Sequence, residues 1–105
     1  MSAKAKPNVV IWTNKGCGAC VRAKQLFENK QVEVTERRLK NSPSIQRAFS
    51  MASRGAKTGP QILIDGTLVG GFDHLLILEK SGELDVMLGL SDSLPERSAW
   101  QRFRA

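Results

Sequence analysis

The chain has two cysteines, Cys17 and Cys20, three residues apart. On a helix, positions i and i+3 share a face, so this spacing sets the two sulfurs about one turn apart. Thiols so placed can cycle between dithiol and disulfide by thiolate exchange. They make a poor structural staple, because a disulfide across so short a span constrains very little chain. A structural zinc site needs two further ligands. His74 is the single histidine and there is no second cysteine pair, so zinc is set aside. The plainer alternative is a pair of small, buried, apolar side chains.

The surroundings of the pair favour redox chemistry. Val9-Val10-Ile11-Trp12-Thr13 is a continuous apolar run of the kind that forms a strand buried on both faces. Asn14 to Gly18 reads as the loop after it. A helix is expected from about Ala19 to Asn29, with Ala19, Ala23, Leu26 and Phe27 at helical spacing. Cys17 thus falls at a helix N-terminus, where free backbone N–H groups and a partial positive charge favour thiolate over thiol. Lys15 adds a formal charge two residues away. A free cysteine has a pKa of about 8.5, and such sites bring it to roughly 3.5–7.5. Cys17 is therefore the expected nucleophile. Cys20, inside the helix, is the expected buried partner.

Further along, Gln31 to Glu36 alternates, with Val32 and Val34 on one side, and predicts a second strand. Joined through the helix, it should run parallel to the first by a right-handed crossover. Ser42-Pro43 suits a helix start, Ser as cap and Pro at the first helical position. Ile45, Ala48, Phe49 and Ala52 supply its apolar stripe, and Gly55 suits its end. Ile62-Leu63-Ile64 reads as a third strand. Asp65-Gly66 is a strong two-residue hairpin turn, with Thr67-Leu68-Val69 returning. Asp73 can cap a helix carrying Leu75, Leu76 and Leu78, with Gly82 as its stop. Leu84, Met87 and Leu88 suggest a short last helix. The order β-α-β-α-β-β-α-α predicts an α/β fold, a mixed four-stranded sheet flanked by helices. Residues 1–90 are expected to form one domain. Residues 91–105, polar and basic with Pro95, read as a tail outside it.

Composition agrees with a single globular unit: 105 residues, 41% of them apolar. No apolar run approaches the roughly 20 residues that cross a bilayer. Met1 to Asn8 is polar and basic with no apolar stretch behind it, so no secretory signal is seen. The expectation is no membrane partner and a cytoplasmic, reducing location. Net charge is +6, unevenly spread: residues 1–60 carry twelve Lys and Arg against three Glu. A basic half fits nucleic acid, or attraction of an anionic substrate and support of a thiolate. No nucleic-acid motif accompanies the charge, so no nucleic-acid partner is expected.

Four segments in order carry a resemblance: Lys15-Gly16-Cys17-Gly18-Ala19-Cys20, Thr58-Gly59-Pro60-Gln61-Ile62, Asp65-Gly66 and Gly70-Gly71-Phe72-Asp73. Together, at this spacing, they resemble the glutaredoxins of the thioredoxin-like superfamily over about residues 8 to 90. The resemblance implies a thioredoxin-like fold and a glutathione-binding site. In that site Cys17 and Cys20 are catalytic. Pro60 is implied as a cis-proline facing the cysteine. The backbone beside it, at Thr58 and Gly59, would pair with the cysteinyl backbone of glutathione like a short added strand. Gly71 would allow close approach of the ligand, and the helix start at Phe72 would hold the γ-glutamyl carboxylate. Asp73 would face the γ-glutamyl amino group. Lys15 and Lys57 are candidates for the glycyl carboxylate. Arg37, Arg38 and His74 read instead as surface residues.

The chain departs from the family pattern in three places. Gly18 and Ala19 stand where Pro and Tyr are common, the chain has no Tyr, and Gly59 stands where Val is usual. The implied activity is glutathione-dependent reduction of protein–glutathione mixed disulfides and protein disulfides. Glutathione and such proteins are the implied partners of a monomer. The alternative is a [2Fe–2S] carrier or sensor, a dimer in which Cys17 and a bound glutathione from each chain supply the four thiolates that a cluster wants.

Overall fold

A computed structural model of the chain describes residues 6–91. The apolar run Val9–Thr13 forms β1, a central strand with a neighbour on each side. β2 (Val34–Arg38) pairs with it in parallel and β3 (Gln61–Ile64) antiparallel. β4 (Thr67–Gly70) returns antiparallel to β3, so the sheet order is β2-β1-β3-β4. The hairpin between β3 and β4 turns on Asp65 and Gly66, whose φ values of 51° and 83° suit the turn that matches strand twist.

Alternation along β1 divides the layers. Val9 and Ile11 point to one face, where Ala23 and Phe27 of α1 (Gly18–Asn29), Leu75 of α3 (Phe72–Ser81) and Leu84 of α4 (Glu83–Met87) complete a buried core with Ile62 and Ile64. Trp12 points to the other face. There its ring meets Phe49 of α2 (Pro43–Ser53) at a centroid distance of 5.4 Å. The expected mixed sheet with helices on both faces is thus the observed fold, with its elements in the expected order. An ion cluster closes its far end: Lys30, at the C-cap of α1, reaches both Glu79 of α3 and Asp85 at 2.7 Å.

Four local expectations are corrected. The second strand starts at Val34 and runs to Arg38, where Gln31 to Glu36 was expected. Gln31 takes the left-handed conformation, φ 61°, and Val32 N–H still donates to Phe27 O, so these residues finish the helix. Ser42 sits at the N-cap of α2 without a side-chain cap bond; its hydroxyl lies 3.2 Å from that of Ser44. Arg54, at φ 59°, is the left-handed cap that ends α2, one residue before Gly55. The N-cap of α3 is Gly71, which places Asp73 inside the first turn, where a carboxylate complements the helix dipole. Of the stretch 91–105 expected as a tail, residues 92–105 lie outside the described residues. Just before it, the N–H groups of Leu90 and Ser91 donate to Asp85 O. Among the described residues no helix is long and apolar enough to cross a membrane.

Candidate active site

β1 delivers the chain into the loop that carries Cys17. That residue is the N-cap of α1, with extended backbone, and its Sγ accepts the N–H of Cys20 at 3.0 Å. A sulfur thus does the capping that Ser or Asp does elsewhere. A disulfide joins Cys17 to Cys20, whose Cα atoms are 5.2 Å apart. The pair is asymmetric. Cys20 is 3% exposed and packed into the protein, whereas Cys17 is half-buried at the surface.

Two more loops reach the same end of the sheet. Gln61 pairs with Trp12, so the turn before β3 lies beside the end of β1. Its Gly59–Pro60 peptide bond is cis. Gly70 pairs with Ile62, and the Cα of Gly71 lies so that a Cβ there would sit 3.6 Å from Pro60 O. The loops that carry Cys17, Gly59–Pro60 and Gly71 thus reach one rim of the sheet, and Phe72 and Asp73 open α3 directly after Gly71. Lys57 and Thr58 precede Gly59 in the chain, both exposed. Lys57 borders a hollow of about 440 Å³ with Lys40 and Gln46. Lys15 is exposed in the Cys17 loop, and among the described residues neither Lys15 nor Lys57 pairs with an acid. His74 is exposed, as read from the sequence, and its ring lies beside Gly70, where a Cβ would be 3.0 Å from its Nδ1.

Beside the cysteines opens a depression of about 340 Å³ that the sequence did not signal, bordered by Cys17, Cys20, Thr13, Lys24, Glu36 and Arg38. The buried Thr13 hydroxyl donates to Glu36 Oε2 at 2.7 Å, and Lys24 Nζ donates to Glu36 Oε1 at 3.1 Å. The Thr13 hydroxyl first, then Lys24, hold the Glu36 carboxyl below its ordinary value. Arg38 thus borders the site, while Arg37 turns away and lies over the Trp12 ring, 4.9 Å from its centroid. Asn14 likewise carries no sequence signal. Its side-chain oxygen accepts the Gly59 N–H at 2.7 Å.

The donor set of one chain does not fit an iron–sulfur cluster. Such a cluster wants four thiolates. The chain has two cysteines, joined to each other, and among the described residues no group of three His, Cys, Asp or Glu converges. The space around Gly18 is open, however: a Cβ there would meet nothing within 4 Å.

Comparison with known proteins bears on this geometry. The family model for glutaredoxin matches residues 9–69. A glutaredoxin of Pseudomonas aeruginosa is 44% identical over 82 residues, covering 78% of this chain and 96% of its own. Among solved structures, the glutaredoxin of Brucella melitensis superposes with a TM-score of 0.70 at 36% identity, over 83% of this chain and 94% of that one. A buckwheat glutaredoxin solved as a glutathione complex gives 0.69 at 26% identity, over 80% and 78%.

Proposed function

The chain belongs to the glutaredoxin family and is by that membership a thiol–disulfide oxidoreductase; on this premise we propose that its electron donor is glutathione. The observation that carries the reading is the asymmetry of the pair. Cys17 is accessible at a helix N-cap, and Cys20 is buried one turn behind it, bonded to it. In the first route the Cys17 thiolate attacks the glutathione sulfur of a protein–glutathione mixed disulfide. The old S–S bond breaks, the protein leaves as a thiolate and takes up a proton, and Cys17 carries the glutathionyl group. A second glutathione thiolate attacks that group, releasing glutathione disulfide and free Cys17. In the second route Cys17 attacks a protein disulfide, and Cys20 then attacks Cys17 Sγ. That closes the Cys17–Cys20 disulfide, which two glutathiones reduce.

The rim suits such a tripeptide. The start of α3 offers N–H groups for a carboxylate, Asp73 for an amino group, and the exposed Lys15 and Lys57 for a second carboxylate. The Gly59–Pro60 backbone lies across from Cys17's loop for main-chain pairing. The buckwheat relative solved with glutathione supports this assignment. Partners are then glutathione and glutathionylated or disulfide-bearing proteins, met in a reducing cytoplasm. The protein is a monomer unless a cluster bridges two chains. The test is turnover of a glutathionylated peptide by the isolated protein, coupled to glutathione reductase. Turnover there, and none when thioredoxin reductase replaces glutathione and its reductase, supports the reading. The reverse pattern overturns it.

A further inference from the structure

The main-chain N–H of Gly59 is already taken. It donates to Asn14 Oδ1 at 2.7 Å, across 45 residues of sequence. The other end of the same carboxamide is held too: Asn14 Nδ2 donates to Lys15 O at 3.1 Å. Turning the amide over would set two donors face to face at Gly59 and two acceptors face to face at Lys15, so its orientation is fixed by both partners. The turn is drawn tightly onto β1. A Cβ on Gly59 would lie 2.6 Å from Trp12 O, 3.1 Å from Asn14 Oδ1 and 3.2 Å from Thr13 Cα. No side-chain-bearing residue fits that approach, and here it is the lack of a Cβ, rather than conformational freedom, that requires glycine.

We propose that Asn14 is a specificity-determining latch on the substrate groove, holding the Gly59 N–H that a peptide disulfide needs and yielding it only to a ligand with a main-chain acceptor. The proposal rests on the peptide reading of the site given above. An extended cysteinyl peptide can take the Gly59 N–H only by displacing Asn14 Oδ1, and the exchange trades one hydrogen bond for another. A disulfide without a peptide backbone has nothing to trade and gains nothing from an open latch. The residue therefore sets how strongly the enzyme prefers peptide over simple alkyl disulfides, acting through Gly59 and not on sulfur.

Reduced full-length protein is mixed with glutathione disulfide or with bis(2-hydroxyethyl) disulfide, and thiolate loss is followed by stopped flow. In each case the Cys17 thiolate attacks one sulfur and forms a mixed disulfide, and the other half leaves as a thiolate that takes up a proton at neutral pH. Asn14→Ala should raise the ratio of the two rate constants, peptide over alkyl, about fivefold, equivalent to about 1 kcal/mol. For the glutathionylated peptide, the Michaelis constant should fall by more than kcat changes. A ratio that stays level or falls overturns the latch. Amide hydrogen exchange is the second readout, and it needs no turnover. Gly59 should be protected in the wild type, should exchange faster in Asn14→Ala and should stay protected in Asn14→Asp, which keeps an acceptor. A third measurement does not depend on the folding of any Asn14 variant. In Cys20→Ser trapped as the Cys17–glutathione mixed disulfide, the Asn14 carboxamide resonances should move as Gly59 changes partner. Persistence of the Asn14–Gly59 bond there overturns the proposal. Absence of glutathione-coupled turnover in the wild type would instead defeat the functional reading, leaving the exchange data to judge the bond.

Discussion

The backbone N–H of Cys20 points at Cys17 Sγ from 3.0 Å, so the residue that closes the disulfide also caps its partner's sulfur from the main chain. That bond belongs to the backbone of residue 20 and survives any change of its side chain. It is a donor aimed where negative charge would sit on a reduced Cys17.

The two cysteines should therefore separate cleanly by mutation. Cys17→Ser is expected to abolish reduction of every disulfide substrate. Cys20→Ser keeps the N–H to the sulfur and should retain most turnover of a glutathionylated peptide, because free glutathione replaces the second thiol. It should lose at least about tenfold toward a protein disulfide. Parallel assays on both substrates check this. A Cys20→Ser protein as inactive on the peptide as Cys17→Ser would end the one-cysteine route.

Lys15 lies two residues before the nucleophile and is exposed. A charge so placed is screened by water, so its influence is modest, roughly 0.2–1 kcal/mol. Lys15→Glu is expected to raise the Cys17 pKa and to raise the Michaelis constant for a glutathionylated peptide a few-fold. The ultraviolet absorbance of the thiolate, titrated in Cys20→Ser, reports the first effect. An unmoved titration removes Lys15 from the site.

Far from the cysteines, Lys30 answers to pH. Burial works against its charge, yet the hydrogen bonds and charges of Asp85 and Glu79 outweigh it and raise the pKa above 10.5. A folded value above the unfolded one means that the stabilisation is whole below the ordinary lysine value. It is lost as pH climbs through the folded value. Lys30→Met should lower the melting temperature at neutral pH by several degrees, as a loss of roughly 1–3 kcal/mol does in a small domain. The gap to wild type should narrow in strongly alkaline buffer. Thermal melts of both proteins across the alkaline range test it; a gap independent of pH would show that packing, not charge, is what Lys30 contributes.

The cluster alternative has its own outcome. With one accessible thiol per chain, four ligands require two chains and two outside thiols. Cys20 stands ready to close on Cys17 instead. Anaerobic reconstitution with iron, sulfide and glutathione is expected to leave a colourless, iron-free monomer. A coloured dimer carrying two irons would reverse that expectation and give the open space around Gly18 a purpose.

What the sequence made legible was whatever rests on neighbours along the chain. The strand Val9–Thr13, the cysteine spacing and the Asp65-Gly66 turn each declare themselves within a few residues. The contents of the site beyond the cysteines did not. Asn14 meets Gly59 only because β3 returns the chain to the end of β1, and Thr13 meets Glu36 only across the parallel pairing with β2. An asparagine in a loop and a threonine at a strand end carry no local mark of such partners. The misplaced start of β2 has a different cause. Gln31 adopts a left-handed backbone that composition assigns to Gly or Asn, so the alternation of Val32 and Val34 looked like strand when the chain was still leaving the helix.

The position of β1 inside the sheet has a consequence for synthesis. Its first partner, β2, follows after one helix, but its other edge is filled only by β3, some fifty residues downstream of it in the chain. A nascent chain leaving the ribosome grows at about 5–20 residues per second. For several seconds β1 keeps one bare edge, with both cysteines in the helix start that follows it. In that interval the Asn14 carboxamide lacks its Gly59 partner. The cap on the Cys17 sulfur needs only α1, whereas the Asn14–Gly59 bond waits for the turn before β3, so the nucleophile's own surroundings can form well before the groove beside it.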